Sequence, residues 1–369
     1  MRNKGEIQYT AFYKRIASGL SREYERTAAD NPVCFEITRD KFVIASDHHR
    51  GRRDGADDFK KCEKAYNKAL MDYYASGYTL VILGDAEDIW ECNAASVFQS
   101  YPVTVALEAG FHADGRLYKI IGNHDECWAD EKNIEKYIAP AYNALNKDSF
   151  ISDSLRLSVR KNGSMIGEIF LVHGHQGTLS SDRYGGLSKF LVKNLWRNFQ
   201  RITGIKSTTP RSDPRLRDRH HRAMYAWAHR QCVYGKRLVL ITGHTHLPVF
   251  LSYDIAGKAI KELNTLNDRL NRARAAGEEM LARDLEMQMA NKNEELKAAR
   301  NRNSIEDGCA GETPCFFNTG CCSFSDGDIT AIELAEGEIR LVRWPDDQGR
   351  LKKKLLDRAD LERDVFARL

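Results

Sequence analysis

Five short, almost wholly apolar runs constrain this chain more than any other feature: "KFVIAS" (41–46), "YTLVIL" (78–83), "YKII" (118–121), "EIFLV" (168–172) and "RLVLIT" (237–242). They are rich in β-branched residues and apolar at consecutive positions rather than alternate ones. Such runs suit strands covered on both faces. Helix-like stretches such as "FKKCEKAYNKALMDYYAS" (59–76) lie between them, and alternation of strand and helix predicts an α/β architecture. After residue 248 come "VFLSYD", "PCFFNT", "DITAIEL" and "EIRLVRW", close together with turn signals. A later, partly antiparallel set of strands is expected there.

Each early run ends in polar chemistry. "FVIAS" leads into Asp47-His48-His49, "LVIL" into Gly84-Asp85-Ala86-Glu87-Asp88, and "KII" into Gly122-Asn123-His124-Asp125. "IFLV" leads into His173-Gly174-His175, and "LVLIT" into Gly243-His244-Thr245-His246. Seven of the eleven histidines sit at these ends. In an open α/β sheet, ligands bind at the carboxyl ends of strands. A single histidine after a strand is an ordinary packing or capping residue, but five such ends together can converge on metal ions. Nitrogen and oxygen donors without thiolate suit borderline divalent cations, and one carboxylate such as Asp85 can serve two of them. Two adjacent cations clamp the attacking and leaving oxygens of a phosphoryl displacement.

These motifs, D-x-H, G-D-x-x-D, G-N-H-[DE], H and G-H-x-H in that order, resemble those of the calcineurin-like metallophosphoesterase family, over about Phe42 to Pro248. The resemblance implies an α/β fold, a four-layer α/β/β/α sandwich with two mixed sheets and a dimetal site at the strand ends. It implies Asp47, His49, Asp85 and His246 on one metal, and Asp85, Asn123, His173 and His244 on the other. Manganese is the expected metal, with Fe, Zn, Co and Ni as alternatives. The nucleophile implied is a metal-bridging hydroxide, with His124 as general acid and Asp125 fixing its tautomer. His48, His175 and Arg50 are candidate substrate contacts. Asp88 is expected to support the site and Trp90 to lie in the core.

"SDHHRG" and "GDAEDIW" are similar to the branch containing the UDP-diacylglucosamine pyrophosphatases of lipid A synthesis. Those enzymes have Arg where this chain has His124, and commonly His-Gly-Asp where it has His173-Gly174-His175. The His124 form suits a broader phosphomonoesterase or phosphodiesterase role.

One domain spanning 1–369 is expected, since there is no tandem repeat and no Pro-rich or Gly/Ser-rich linker. Three segments are set apart: a polar helical extension at 1–32, a basic helical cap at 178–236 and a helical hairpin at 261–303. The cap carries twelve Lys or Arg between Lys189 and Lys236 against Asp213 and Asp218. Its stripe of Leu187, Phe190, Leu191, Leu195, Trp196 and Phe199 could hold an acyl chain, lie on a membrane surface, or cover the core. In the hairpin, Leu263, Leu266, Leu270 and Ala273 share one face and Leu281, Leu285 and Leu296 another, with Gly277 as the reversal point.

The leading expectation is therefore a dimetal phosphohydrolase acting on a phosphorylated small molecule or a lipid-linked substrate. A metal-dependent nuclease would use the 189–236 segment as a phosphate-tracking groove. A non-catalytic scaffold would assemble through 261–303, where a homo-oligomer contact is also expected. The net charge of +4 favours none of these. No run approaches the ~18 apolar residues of a membrane span, and the start lacks the apolar stretch of a signal peptide. A cytoplasmic location is expected, with peripheral membrane contact as an option. Scattered Cys34, Cys62, Cys92, Cys127 and Cys232 read as thiols in a reducing compartment. The cluster Cys309, Cys315, Cys321 and Cys322 matches no common zinc spacing and is expected to pack.

Overall fold

The apolar runs are used on both faces with period two. In β2 (Phe42–Ala45), Phe42 and Ile44 point into one core while Val43 and Ala45 point into another. The same split divides Val81 and Leu83 from Leu80 and Ile82 in β3 (Thr79–Leu83). The computed structural model describes residues 11–28, 32–143, 150–178, 214–253, 255–303, 311–345 and 351–369.

In chain order the larger elements begin with α1 (Ala11–Ala28) and β1 (Val33–Glu36), followed by β2, α2 (Phe59–Ala75) and β3. Next are α3 (Ala94–Ser100), α4 (Pro102–Ala113), β4 (Leu117–Ile120), β5 (Ile151–Ser152), β6 (Ser154–Lys161) and β7 (Ser164–Val172). Then follow α5 (Pro214–Val233), β8 (Leu238–Thr242), α6 (Ile255–Ala275) and α7 (Glu279–Asn303). The chain closes with β9 (Phe316–Asn318), β10 (Ile329–Ala335), β11 (Glu338–Trp344) and β12 (Lys354–Asp360).

Two mixed sheets form, ordered β12-β11-β10-β2-β3-β4-β5 and β1-β6-β7-β8-β9. β2 through β5 run parallel, as do β7, β8 and β9. Phe42, Val81 and Ile120 of one sheet meet Leu157, Ile169 and Val239 of the other in a shared core. Outside the seven-stranded sheet, Phe59, Tyr66 and Leu70 of α2 and Val105 and Phe111 of α4 cover Leu80 and Ile82. Outside the five-stranded sheet, Ile16 and Leu20 of α1 with Met224 and Trp227 of α5 cover Phe170 and Leu240. The order of layers is thus helix, sheet, sheet, helix.

Three readings of the sequence change here. The stretch taken as an N-terminal extension supplies, over 11–28, a packed helix of the outer layer, because Tyr13, Ile16, Leu20 and Tyr24 are buried on one side. Residues 249–253 of "VFLSYD" form a turn with isolated bridges rather than a strand, since Leu251 and Ser252 adopt left-handed φ of 50° and 64°. The hairpin begins at Ile255, and Gly277, at φ 70°, lies in its reversal. Cys315, Cys321 and Cys322 are buried and no disulfide forms among the described residues, while Cys309 lies outside them. No described helix is long and apolar enough to cross a membrane.

Candidate metal centre

Parallel neighbours bring their carboxyl ends to one edge, so Asp47 and Asp85 emerge side by side after β2 and β3. The pairing continues past the strands: Asp47 N–H donates to the Gly84 carbonyl at 3.1 Å, and His49 N–H to the Asp85 carbonyl at 2.9 Å. The opposing sheet joins at the same edge, where His244 N–H donates to Asp47 Oδ2 at 2.8 Å. Ser46 O–H also donates to Asp47 Oδ2, and Ser46 Oγ lies 2.6 Å from Thr319 Oγ1 after β9. Backbone strain is concentrated here. Asp47, His49, Asp85, His244 and His246 have φ of 54°, 50°, 52°, 68° and 58°, a left-handed conformation costing roughly 1–3 kcal/mol for a non-glycine residue. Glycine is needed at Gly84, at φ 84°, because a Cβ there would lie 2.4 Å from His173 Nδ1.

The side chains so turned converge in overlapping sets. Ligand atoms of Asp47, His49 and His246 lie within 4.8 Å of one another, as do those of Asp85, His173 and His244 and those of His49, Asp85 and His124. His49 Nε2 and His246 Nε2 are 3.0 Å apart, and His246 Nε2 is 3.3 Å from Asp47 Oδ1. Buried polar atoms normally find partners, yet Asp47 Oδ1, Asn123 Oδ1, His173 Nε2 and His244 Nε2 make no hydrogen bond among the described residues. His173 Nε2 is 3.1 Å from Asp85 Oδ2 without aligning as one. Its Nδ1–H donates to the Leu83 carbonyl at 2.9 Å, which in the neutral ring leaves the Nε2 lone pair facing the site. This donor set fits two divalent cations sharing Asp85. Burial works against ionising Asp85, but His173, His124 and His49 outweigh it and hold its carboxyl well below the ordinary range. Burial likewise opposes a charged His173, yet Asp85 and Asp47 push it up to about 10.

His124 stands at the open side, its side chain 24% exposed, with Nδ1 3.1 Å from Asp88 Oδ1. Burial would lower its pKa, but Asp85 and Asp88 raise it to about 9. Asp125 was expected to orient His124 and does not. Its Oδ2 accepts from Ala86 N–H at 2.8 Å and its Oδ1 from Gly122 N–H at 2.7 Å. It is fully buried, braces the Asp85 and Asn123 loops, and is pushed up to about 6 chiefly by that burial. Trp90, expected in the core, is 42% exposed and stacks on His124 with ring centres 5.1 Å apart.

Compared with known proteins, the chain matches the model of the calcineurin-like phosphoesterase family over residues 40–248, more than half its length. The chain belongs to that family. It has no significant sequence match among curated proteins. Among solved structures it is similar to a single mutant of Vps29 from Entamoeba histolytica, at 12% identity and a TM-score of 0.28, over 86% of this chain and 98% of that one. That likeness is too weak to inform fold or function.

In this member of the family, two expected substrate contacts face away from the site. Arg50 is 1% exposed and bridges Glu87 at 2.6 Å and Glu108 at 2.9 Å. It lies beneath the site because its backbone continues the pairing with Ala86, which turns the side chain towards α4. His48 is fully buried and its ring packs on Phe59 and Tyr66. His175 is half-buried with its ring centre 5.4 Å from His173.

Sequence reasoning missed two supports. Asn318, at the end of β9, donates to the Gly243 carbonyl at 2.6 Å and so braces the His244 loop; the polar end of "PCFFNT" was the available signal. His220 of α5 is buried with its ring centre 5.4 Å from His244, a contact no spacing announces. Residues 179–213, with most of the basic cap and its Leu187–Phe199 stripe, lie outside the described residues. The described remainder, α5, packs on the five-stranded sheet.

Proposed function

We propose that this family member hydrolyses a phosphoester or pyrophosphate bond with two divalent cations, manganese first among them. Asp47, His49, Asp85, Asn123, His173, His244 and His246 would hold them. The observation that carries this reading is the convergence of buried donor atoms without hydrogen-bond partners beside a His124–Asp88 pair open to solvent. When bound, the cations supply Lewis acidity and a nucleophilic water at neutral pH.

The chain's own residues do the rest. Ser46 and the His244 N–H fix Asp47, and the Leu83 carbonyl fixes the His173 tautomer. Asp88 holds His124 through Nδ1. Nε2 of His124 is then the atom that gives a proton to the departing oxygen. A pKa of about 9 keeps that ring protonated at neutral pH in the metal-free protein; bound cations would draw it back towards the ordinary value. We assign the substrate to nucleotide-derived or lipid-linked phosphoesters. The test is a hydrolysis screen of the Mn-loaded protein against phosphomonoesters, phosphodiesters, nucleotide diphosphate conjugates and nucleic acids. Turnover that survives complete chelation, or none with any metal, overturns the reading.

A further inference from the structure

Four rings run outward from the metal centre. His246 stacks on His49 at 4.9 Å between ring centres, His49 meets His124 edge-on at 4.5 Å, and His124 stacks on Trp90 at 5.1 Å with planes 26° apart. The outermost ring is anchored yet open. Asp88 N–H donates to the Arg50 carbonyl at 2.9 Å and Cys92 N–H to the Asp88 carbonyl at 2.9 Å, which closes the turn carrying Trp90. Residues two apart on that turn thus address His124 differently: Asp88 holds its Nδ1 and Trp90 lies along its face. His124 covers part of the indole, and 42% of Trp90 is exposed to solvent.

We infer that Trp90 is a stacking platform for the leaving group, and that the preferred substrate carries a planar aromatic group, such as a nucleobase or aryl ring, on the departing side of the phosphate. This rests on the hydrolytic reading above, because it is His124 as proton donor that places the departing oxygen beside Trp90. A planar ring entering from that side meets an indole already held in place and adds little ordering cost. Stacking of this kind is sequence-tolerant and contributes substantially per ring, so it selects a class of substrate rather than one compound.

The test compares two phosphonates in which methylene replaces the bridging oxygen: 2-naphthylmethylphosphonate, which is planar, and its 2-decalyl counterpart, which is puckered. Binding to the Mn-loaded full chain is measured by calorimetry, and turnover of the corresponding phosphate esters is measured alongside. The wild type should bind the planar ligand about ten-fold more tightly. Trp90→Ala should reduce that ratio to about three-fold or less, and Trp90→Phe should restore part of it. A wild type with no planar preference, or a Trp90→Ala variant that loses affinity for both ligands equally, overturns the platform. Binding preference without any hydrolysis overturns the catalytic reading and the leaving-group role, and leaves Trp90 only as a stacking site for a planar ligand.

Discussion

Asp85 appears in two of the three converging ligand sets, and its carboxylate is ionised because histidines face it. Asp85→Asn would remove the charge proposed to hold two cations together. Metal analysis should show a fall from about two ions per chain to about one or none, with loss of activity. His124→Ala should instead keep its metal while turnover falls about 10²–10⁴-fold, with a smaller loss for nitrophenyl esters, whose leaving group needs no proton. Asp125→Asn should differ from both. It sets an amide N–H against the Ala86 or Gly122 N–H, so thermal stability should drop by roughly 1–3 kcal/mol without any dependence on the leaving group. Metal binding should also release protons. His173, pushed up to about 10, holds a proton at neutral pH that a cation must displace. Affinity should therefore rise with pH and level off above about 10, and calorimetry in buffers of different ionisation enthalpy should count about one proton from this ring.

At the scale of elements, the α6–α7 hairpin divides in two. Its base packs Ala259 and Leu296 on Leu247, next in the chain to His246 of the candidate site. Its distal part is a separate cluster of Leu270, Ala273, Ala282 and Leu285. Beyond that cluster Met280 is 87% exposed, and Met287 on α7 is 61% exposed. Replacing the distal arm with a short Gly/Ser linker should leave metal content unchanged, because that cluster shares no residue with the site. We propose that a second copy covers those methionines, so light scattering of the same variant should show a smaller assembly than the full chain forms. Leu296→Ala at the base should weaken metal retention instead, as the cavity loosens Leu247. A distal deletion that strips the metal would refute this division.

Across the whole molecule, buried histidines set the response to acid. Burial keeps His220 and His221 neutral in the fold, with pKa values of about 4 and about 3, whereas an unfolded chain protonates them near the ordinary ~6.5. Depressed imidazoles stabilise the fold above that value and lose their contribution as pH falls from ~6.5 towards ~4, by roughly 2 kcal/mol each at about pH 5. His124 and His173 act oppositely in the metal-free protein. Their contribution is present below ~6.5 and lost as pH rises through about 9 and about 10. The drop in melting temperature between about pH 7.5 and about pH 5 should be smaller, or the rise larger, in His220→Phe, which takes up no proton at this position, than in the wild type. Equal shifts in the two proteins would disprove it.

β2, β3, β4, β7 and β8 were legible because strands buried on both faces must be apolar at every position, and their polar ends stood out against that background. β1, β6 and β12 were not. In β6, Arg156 can alternate with leucines because Glu168 pairs with it from the neighbouring strand and Tyr24 of α1 lies over it, partners that only folding supplies. The converging donor residues were likewise legible, since motif order and donor chemistry are local. Which carboxylate serves His124 was decided in three dimensions: Asp125 adjoins it in the chain but turns inward to two backbone N–H groups, while Asp88 arrives from the next strand. The same geometry sent Arg50 and His48 inward and Trp90 outward. Residue type and spacing determine what chemistry a chain carries, but the face on which each side chain emerges depends on backbone twist and on neighbours distant in sequence.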